Sequence, residues 1–139
     1  MVYFKTLTRV RLSETDAKGV VYYAQYFVYF DVARLELFRH LLLRHDVLRK
    51  THQKFAAAEA ECKYVESARF DEVLELNVGV SRIGRSSITF LHKVKRVKDG
   101  RTIATGRVVD VLLDARSRPA ELPEIVKTRL NKYVVAARE

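Results

Sequence analysis

Cysteine is nearly missing from this sequence of 139 residues: Cys62 stands alone. One thiol excludes an internal disulfide and fits a reducing interior, so a cytoplasmic location is expected. Long apolar runs are missing as well. The longest, Val20 to Phe30, is broken by Gln25 and falls short of the roughly 20 residues a membrane span needs, so no membrane insertion is expected. Met1 leads directly into a strand-like segment without the apolar centre of a signal peptide, and no secretory leader is expected. Histidines are few. His40, His45, His52 and His92 show no metal-ligand spacing, so no metal is expected. Acidic residues are outnumbered, 17 against 26 Lys and Arg, for a formal net charge of +9. That surplus could meet nucleic acid, an anionic membrane surface or a phosphorylated small molecule, or simply solvate the surface. Neither a nucleic-acid motif nor the aromatic-plus-basic strand pattern of RNA binders accompanies it, so no nucleic-acid partner is expected.

What is present reads as one ordinary globular domain spanning residues 1–139, with an apolar share of 48% and a charged share of 31%. Val2 to Leu12 alternates, with Phe4, Thr6, Thr8, Val10 and Leu12 on one side, and predicts a first strand. From about Gln25 to Arg44 the spacing is helical. Tyr26, Phe30, Ala33, Leu37 and Leu41 form one stripe, and Phe27, Leu35, Phe38 and Leu42 widen it, which predicts a helix buried most of the way round. His45 to Lys54 reads as a polar connection. Strand-like alternation returns between Ala58 and Tyr64, Leu74 and Ser81, and Ile88 and Val94, followed by the β-branched run from Ile103 to Leu113. Gly84-Arg85-Ser86 and Asp99-Gly100 are turn signals between these strands. Pro123 starts a short C-terminal helix that uses Ile125, Val126, Leu130 and Val134. One early helix followed by hairpin-linked strands implies an α+β fold whose antiparallel sheet covers that helix. The open strand edges of such a sheet favour pairing with a second copy.

The stretch from Ser13 to Glu36 carries the chemistry. A polar turn, Ser13-Glu14-Thr15-Asp16, passes through Gly19 into Val20-Val21-Tyr22-Tyr23 and then the helix. A carboxylate close to a helix start places a fixed negative group beside unpaired backbone N–H donors, which can polarise a carbonyl or hold an anion. The bland alternative is that Asp16 caps a turn or the helix. The stretch, carried by Glu14, Thr15, Asp16, Ala17, Gly19, Val20, Val21, Tyr22, Ala24, Tyr26, Tyr29, Phe30, Asp31, Ala33, Arg34 and Glu36, resembles the signature of the 4-hydroxybenzoyl-CoA thioesterase-like hotdog family.

That resemblance implies a curved antiparallel sheet wrapped around a long central helix, a homodimer or homotetramer, and hydrolysis of an acyl-CoA to free acid and CoA with no cofactor beyond the CoA of the substrate itself. By the same resemblance Asp16 is the catalytic carboxylate, as nucleophile or general base, and the backbone N–H of Tyr23 stabilises the oxyanion. Gly19, Val20, Val21, Tyr22, Tyr26, Ala57 and Glu59 would then lie near the substrate, while Arg82, Gly84, Arg85 and Ser86 would meet the CoA phosphates. Part of the family has histidine where this chain has Tyr23, and tyrosine cannot serve as a base at neutral pH. Glu36 is the fallback carboxylate; the alternative for Arg34 and Glu36 is structural ion pairing. Cys62, on the apolar side of its strand, reads as core. Two rival functions remain: a hotdog hydratase or dehydratase, against which the lack of histidine between Ser13 and Arg39 counts, and a non-catalytic acyl-thioester binding protein.

Overall fold

The computed structural model describes residues 2–43 and 53–135. Five strands, β1 (Phe4–Arg9), β2 (Lys54–Tyr64), β3 (Val73–Ile83), β4 (Ser87–Arg96) and β5 (Thr102–Leu113), form one antiparallel sheet in the order β1-β3-β4-β5-β2. Helix α1 (Gln25–His40) lies across one face, and α2 (Glu124–Leu130) runs into a 3-10 turn at Asn131–Tyr133. The period-2 rule holds along β3 and β4, where Leu74, Leu76, Val78, Val80, Ile88, Phe90 and Val94 all point into the core. They meet Tyr26, Tyr29, Phe30, Ala33, Leu37 and Phe38 from α1. This is the α+β architecture expected from the sequence.

The helix comes close to the sheet because Gly106 carries no side chain. A β-carbon there would stand 2.3 Å from the Phe30 ring. Phe30 in turn stacks on His92 at 4.4 Å between ring centroids. His92 is buried, and burial lowers its pKa to about 3, with the Arg34 charge adding to the effect. Cys62 is partly buried against the same core, and burial pushes its thiol pKa up.

Several boundaries differ from the sequence reading. The first strand is shorter, because Leu12 to Glu14 turn into a 3-10 helix (Leu12–Glu14) and Leu12 faces solvent instead of the core. Helix α1 stops at His40. Leu42 takes a left-handed conformation (φ 59°), its N–H donates to the Arg39 carbonyl, and the Leu43 N–H donates to the Phe38 carbonyl at 2.8 Å. That is a Schellman closure made without glycine, fastened by Arg129, whose Nη1 donates to the Leu41 carbonyl at 2.9 Å. Nor is α1 buried most of the way round. One five-stranded sheet covers a single side, and Val28 remains 50% exposed. Strand β2, at the sheet edge, is bulged between Ala57 and Glu59 and exposed along most of its length. The connection from His45, including His52, lies outside the described residues up to Gln53. In α2, Val126 and Leu130 are buried while Ile125 is half-exposed.

Candidate active site

The polar turn before α1 folds into a small hairpin. Thr15 and Val21 form a bridge, the Asp16 N–H donates to the Val20 carbonyl at 2.9 Å, and the Gly19 N–H returns to the Asp16 carbonyl at 2.9 Å. Gly19 closes the turn at φ +81°, a backbone shape that side chains disfavour. Asp16 sits at the first corner. Its Oδ1 accepts the Lys18 N–H at 2.8 Å, and its Oδ2 lies 3.9 Å from Lys18 Nζ. One carboxylate oxygen therefore does cap a turn. The other makes no hydrogen bond among the described residues.

The helix itself has no side-chain cap. Ala24 occupies the N-cap position and no acid stands in the first turn, so the positive end of a 16-residue helix has no side-chain acceptor of its own. Just ahead of it, the Tyr22 N–H donates to the Glu14 carbonyl and the Gln25 N–H to the Tyr22 carbonyl, each at 2.9 Å. The Tyr23 N–H between them has no acceptor among the described residues.

A cavity of about 340 Å³ opens here, lined by Asp16, Lys18, Val20, Val21, Tyr23, Tyr26, Tyr64, Val65, Glu66 and Ser67. Of the residues proposed from sequence, Asp16, Val20, Val21, Tyr23 and Tyr26 come together in it. Gly19 and Tyr22 support it from the hairpin and the helix approach without lining it. Ala57 and Glu59 lie on β2, opposite Asp110 and Val109 of β5. Arg82, at the end of β3, and Arg85 are exposed. Gly84, Arg85 and Ser86 make the β3–β4 turn, closed by a Gly84 N–H to Ser87 carbonyl bond of 2.7 Å. Glu36 pairs with Arg39, and Arg34 pairs with Asp31 at 3.5 Å and Asp110 at 3.4 Å, which is the structural role considered for both. No histidine lines the cavity.

Three features were not foreseen. Glu14 clamps the loop to the helix, its Oε1 accepting the Tyr29 hydroxyl at 2.8 Å and the Arg11 N–H at 3.0 Å. Both residues stand in the motif, so the signal was present but assigned no role. Glu66 lines the cavity while bound to Arg96 at 3.4 Å and Arg101 at 3.3 Å. Tyr64, from β2, donates its hydroxyl to the Tyr23 carbonyl at 2.9 Å and packs edge-on against Tyr26. Burial raises the pKa of the Tyr26 phenol, and that of the half-exposed Tyr64 is pushed up to about 12 by partial desolvation and by its hydrogen bond with the Cys62 thiol. Both stay protonated at neutral pH, as donors rather than bases. Among the described residues, no group of three or more His, Cys, Asp or Glu side chains could hold a metal ion, and no helix is long and apolar enough to cross a membrane.

An antiparallel sheet laid on one long helix is the hotdog arrangement. The chain belongs to the Thioesterase-like superfamily, whose family model matches residues 10–130. The acyl-CoA thioesterase YbgC of Haemophilus influenzae is 31% identical over 125 residues, 89% of this chain and 91% of that protein. The acyl-CoA thioester hydrolase YbgC of Escherichia coli is 27% identical over 124 residues, 88% of this chain and 92% of its own length. In structure, the DHNA-CoA thioesterase of Staphylococcus aureus superposes with a TM-score of 0.88 over 95% of this chain and 91% of that one, at 22% identity, a likeness of fold.

Proposed function

We propose that this protein hydrolyses an acyl-CoA thioester to the free acid and CoA, with Asp16 as the catalytic carboxylate and the Tyr23 N–H as the oxyanion donor. The observation that carries the reading is one cavity lined by both residues at the uncapped start of α1, with the Tyr23 N–H lacking any acceptor among the described residues. As general base, Asp16 takes a proton from water, whose oxygen adds to the thioester carbonyl. As nucleophile, its free oxygen adds directly and the resulting mixed anhydride is hydrolysed afterwards. In either route the carbonyl oxygen gains negative charge beside the Tyr23 N–H. The C–S bond then breaks, and CoA leaves as thiolate to be protonated. A fixed donor of this kind lowers the barrier by on the order of 3 kcal/mol, a hundredfold or more in rate.

The reading extends to assembly and to the CoA end of the substrate. Strand β2 offers its outer edge, and the exposed Tyr23, Tyr64 and Val65 line the site, which suits a second copy of this chain paired along that edge. Exposed Arg82 and Arg85, with Gly84 and Ser86, would receive the CoA phosphates. Release of free thiol from a panel of short-chain, long-chain and aromatic acyl-CoAs tests the activity. Turnover of at least one supports the proposal. A folded protein that binds acyl-CoA but turns over none overturns it in favour of a binding role.

A further inference from the structure

Resting on that reading, we infer that Tyr64 is a positioning residue for the oxyanion donor. Three hydrogen bonds bracket Tyr23. The Glu14 carbonyl holds the N–H of Tyr22, the Gln25 N–H holds the Tyr22 carbonyl, and the Tyr64 hydroxyl holds the Tyr23 carbonyl at 2.9 Å. The first two come from chain within nine residues of Tyr23, in a hairpin that is itself held to the segment after β2 by the Val21 N–H donating to the Ala68 carbonyl at 2.8 Å. Tyr64 stands 41 residues away on β2, and its bond is the one of the three that ties the helix entrance to the sheet. Its ring packs edge-on against Tyr26 at 5.5 Å, which fixes the direction of the hydroxyl.

The bond is made at an exposed position. Tyr64 is 49% exposed and Tyr23 63% exposed, so neither belongs to the packed interior and neither is needed to fill the core. What the hydroxyl supplies is orientation. It holds the carbonyl of the residue whose own N–H is left without an acceptor. A backbone donor displaced by a fraction of an ångström from a developing oxyanion loses much of its effect, because stabilisation depends on short, directed hydrogen bonds. Strand β2 is also one of the two edges of the sheet, so any partner that pairs there bears on the strand that steers Tyr23.

The test is Tyr64→Phe, which deletes the hydroxyl and keeps the ring against Tyr26. With the best acyl-CoA of the panel, kcat is expected to fall by about tenfold while KM stays within about twofold, the pattern of an interaction felt in the transition state. Tyr64→Leu, which also removes the ring, is expected to raise KM in addition. Amide hydrogen exchange gives a second readout that needs no turnover: the N–H groups of Tyr22 and Gln25 are expected to exchange several-fold faster in Tyr64→Phe, with strands β3 and β4 unchanged. An unaltered kcat, or a loss confined to KM, overturns the inference, as does unchanged exchange at both amides. Asp16→Asn in the same assay separates the two claims. Full activity there refutes the Asp16 assignment and leaves the Tyr64 result to be judged on its own.

Discussion

Gly106→Ala should pry the central helix off the sheet. The new β-carbon would lie 2.3 Å from Cε2 and Cζ of Phe30 and 3.1 Å from the Glu61 carbonyl oxygen on β2. Carbon atoms prefer about 3.5–4.0 Å, so the ring must retreat by more than about 1 Å. It has little room, being buried and stacked on His92 at 4.4 Å. Overpacking of this kind costs about 1–3 kcal/mol, and a clash this close belongs at the upper end. Alanine returns up to about 1 kcal/mol by restricting the unfolded chain, leaving a net loss near 2 kcal/mol. For a chain of this length each kcal/mol shifts the melting temperature by about 3–4 °C, so Tm should drop by about 7 °C. Thermal unfolding followed by circular dichroism measures it. Phe30→Leu in the same protein should recover part of the loss, making the pair non-additive. A Gly106→Ala variant as stable as wild type, or a double variant whose losses simply add, would refute the close-approach argument.

Two other outcomes follow from buried polar groups. Tyr29→Phe removes the hydroxyl bound to the Glu14 carboxylate at 2.8 Å and should lower unfolding free energy by about 1.5–3 kcal/mol in urea titration, with reduced kcat because the loop bearing Asp16 loses its clamp. His92 is held neutral in the fold, with its pKa lowered from 6.5 to about 3. The unfolded chain therefore binds a proton below pH 6.5 that the native state refuses, so His92 makes stability fall as pH drops from 6.5 towards 3, by at most about 1.4 kcal/mol per pH unit. Urea midpoints measured between pH 7.5 and 4.5 should decline on the acid side, and His92→Leu should flatten that decline.

The sequence carried the fold well where a side-chain period met a single buried face. The apolar positions of Leu74 to Val80 and Ile88 to Val94 are the core-facing ones in the sheet, although the intervening Asn77, Gly79, Thr89 and Leu91 are buried on the other face as well. His92 also occupies an inward position of that alternation, yet its polarity hid its place in the core. Boundaries set by tertiary contacts were not legible. The end of α1 depends on Leu42 accepting a left-handed turn under Arg129, a contact made from 87 residues away. Leu12 continued an apolar alternation, but the 3-10 turn carries it outward. The site divides in the same way. Asp16, Gly19 and Tyr23 lie in one contiguous stretch that can be read as a turn and helix entrance. Tyr64 and Glu66 reach the cavity only through the bulged register of β2 and the loop after it, which no local pattern encodes.

Free thiol released by Asp16→Asn beside wild type tests the central claim most directly. Asparagine keeps the shape and leaves an oxygen to accept the Lys18 N–H, so the hairpin should fold unchanged. It can be neither base nor carboxylate nucleophile. In Asp16→Asn kcat is expected to fall by at least about a hundredfold with an unaltered Tm. Turnover that persists within a few-fold of wild type in the folded variant would contradict it, and would move the carboxylate role away from Asp16.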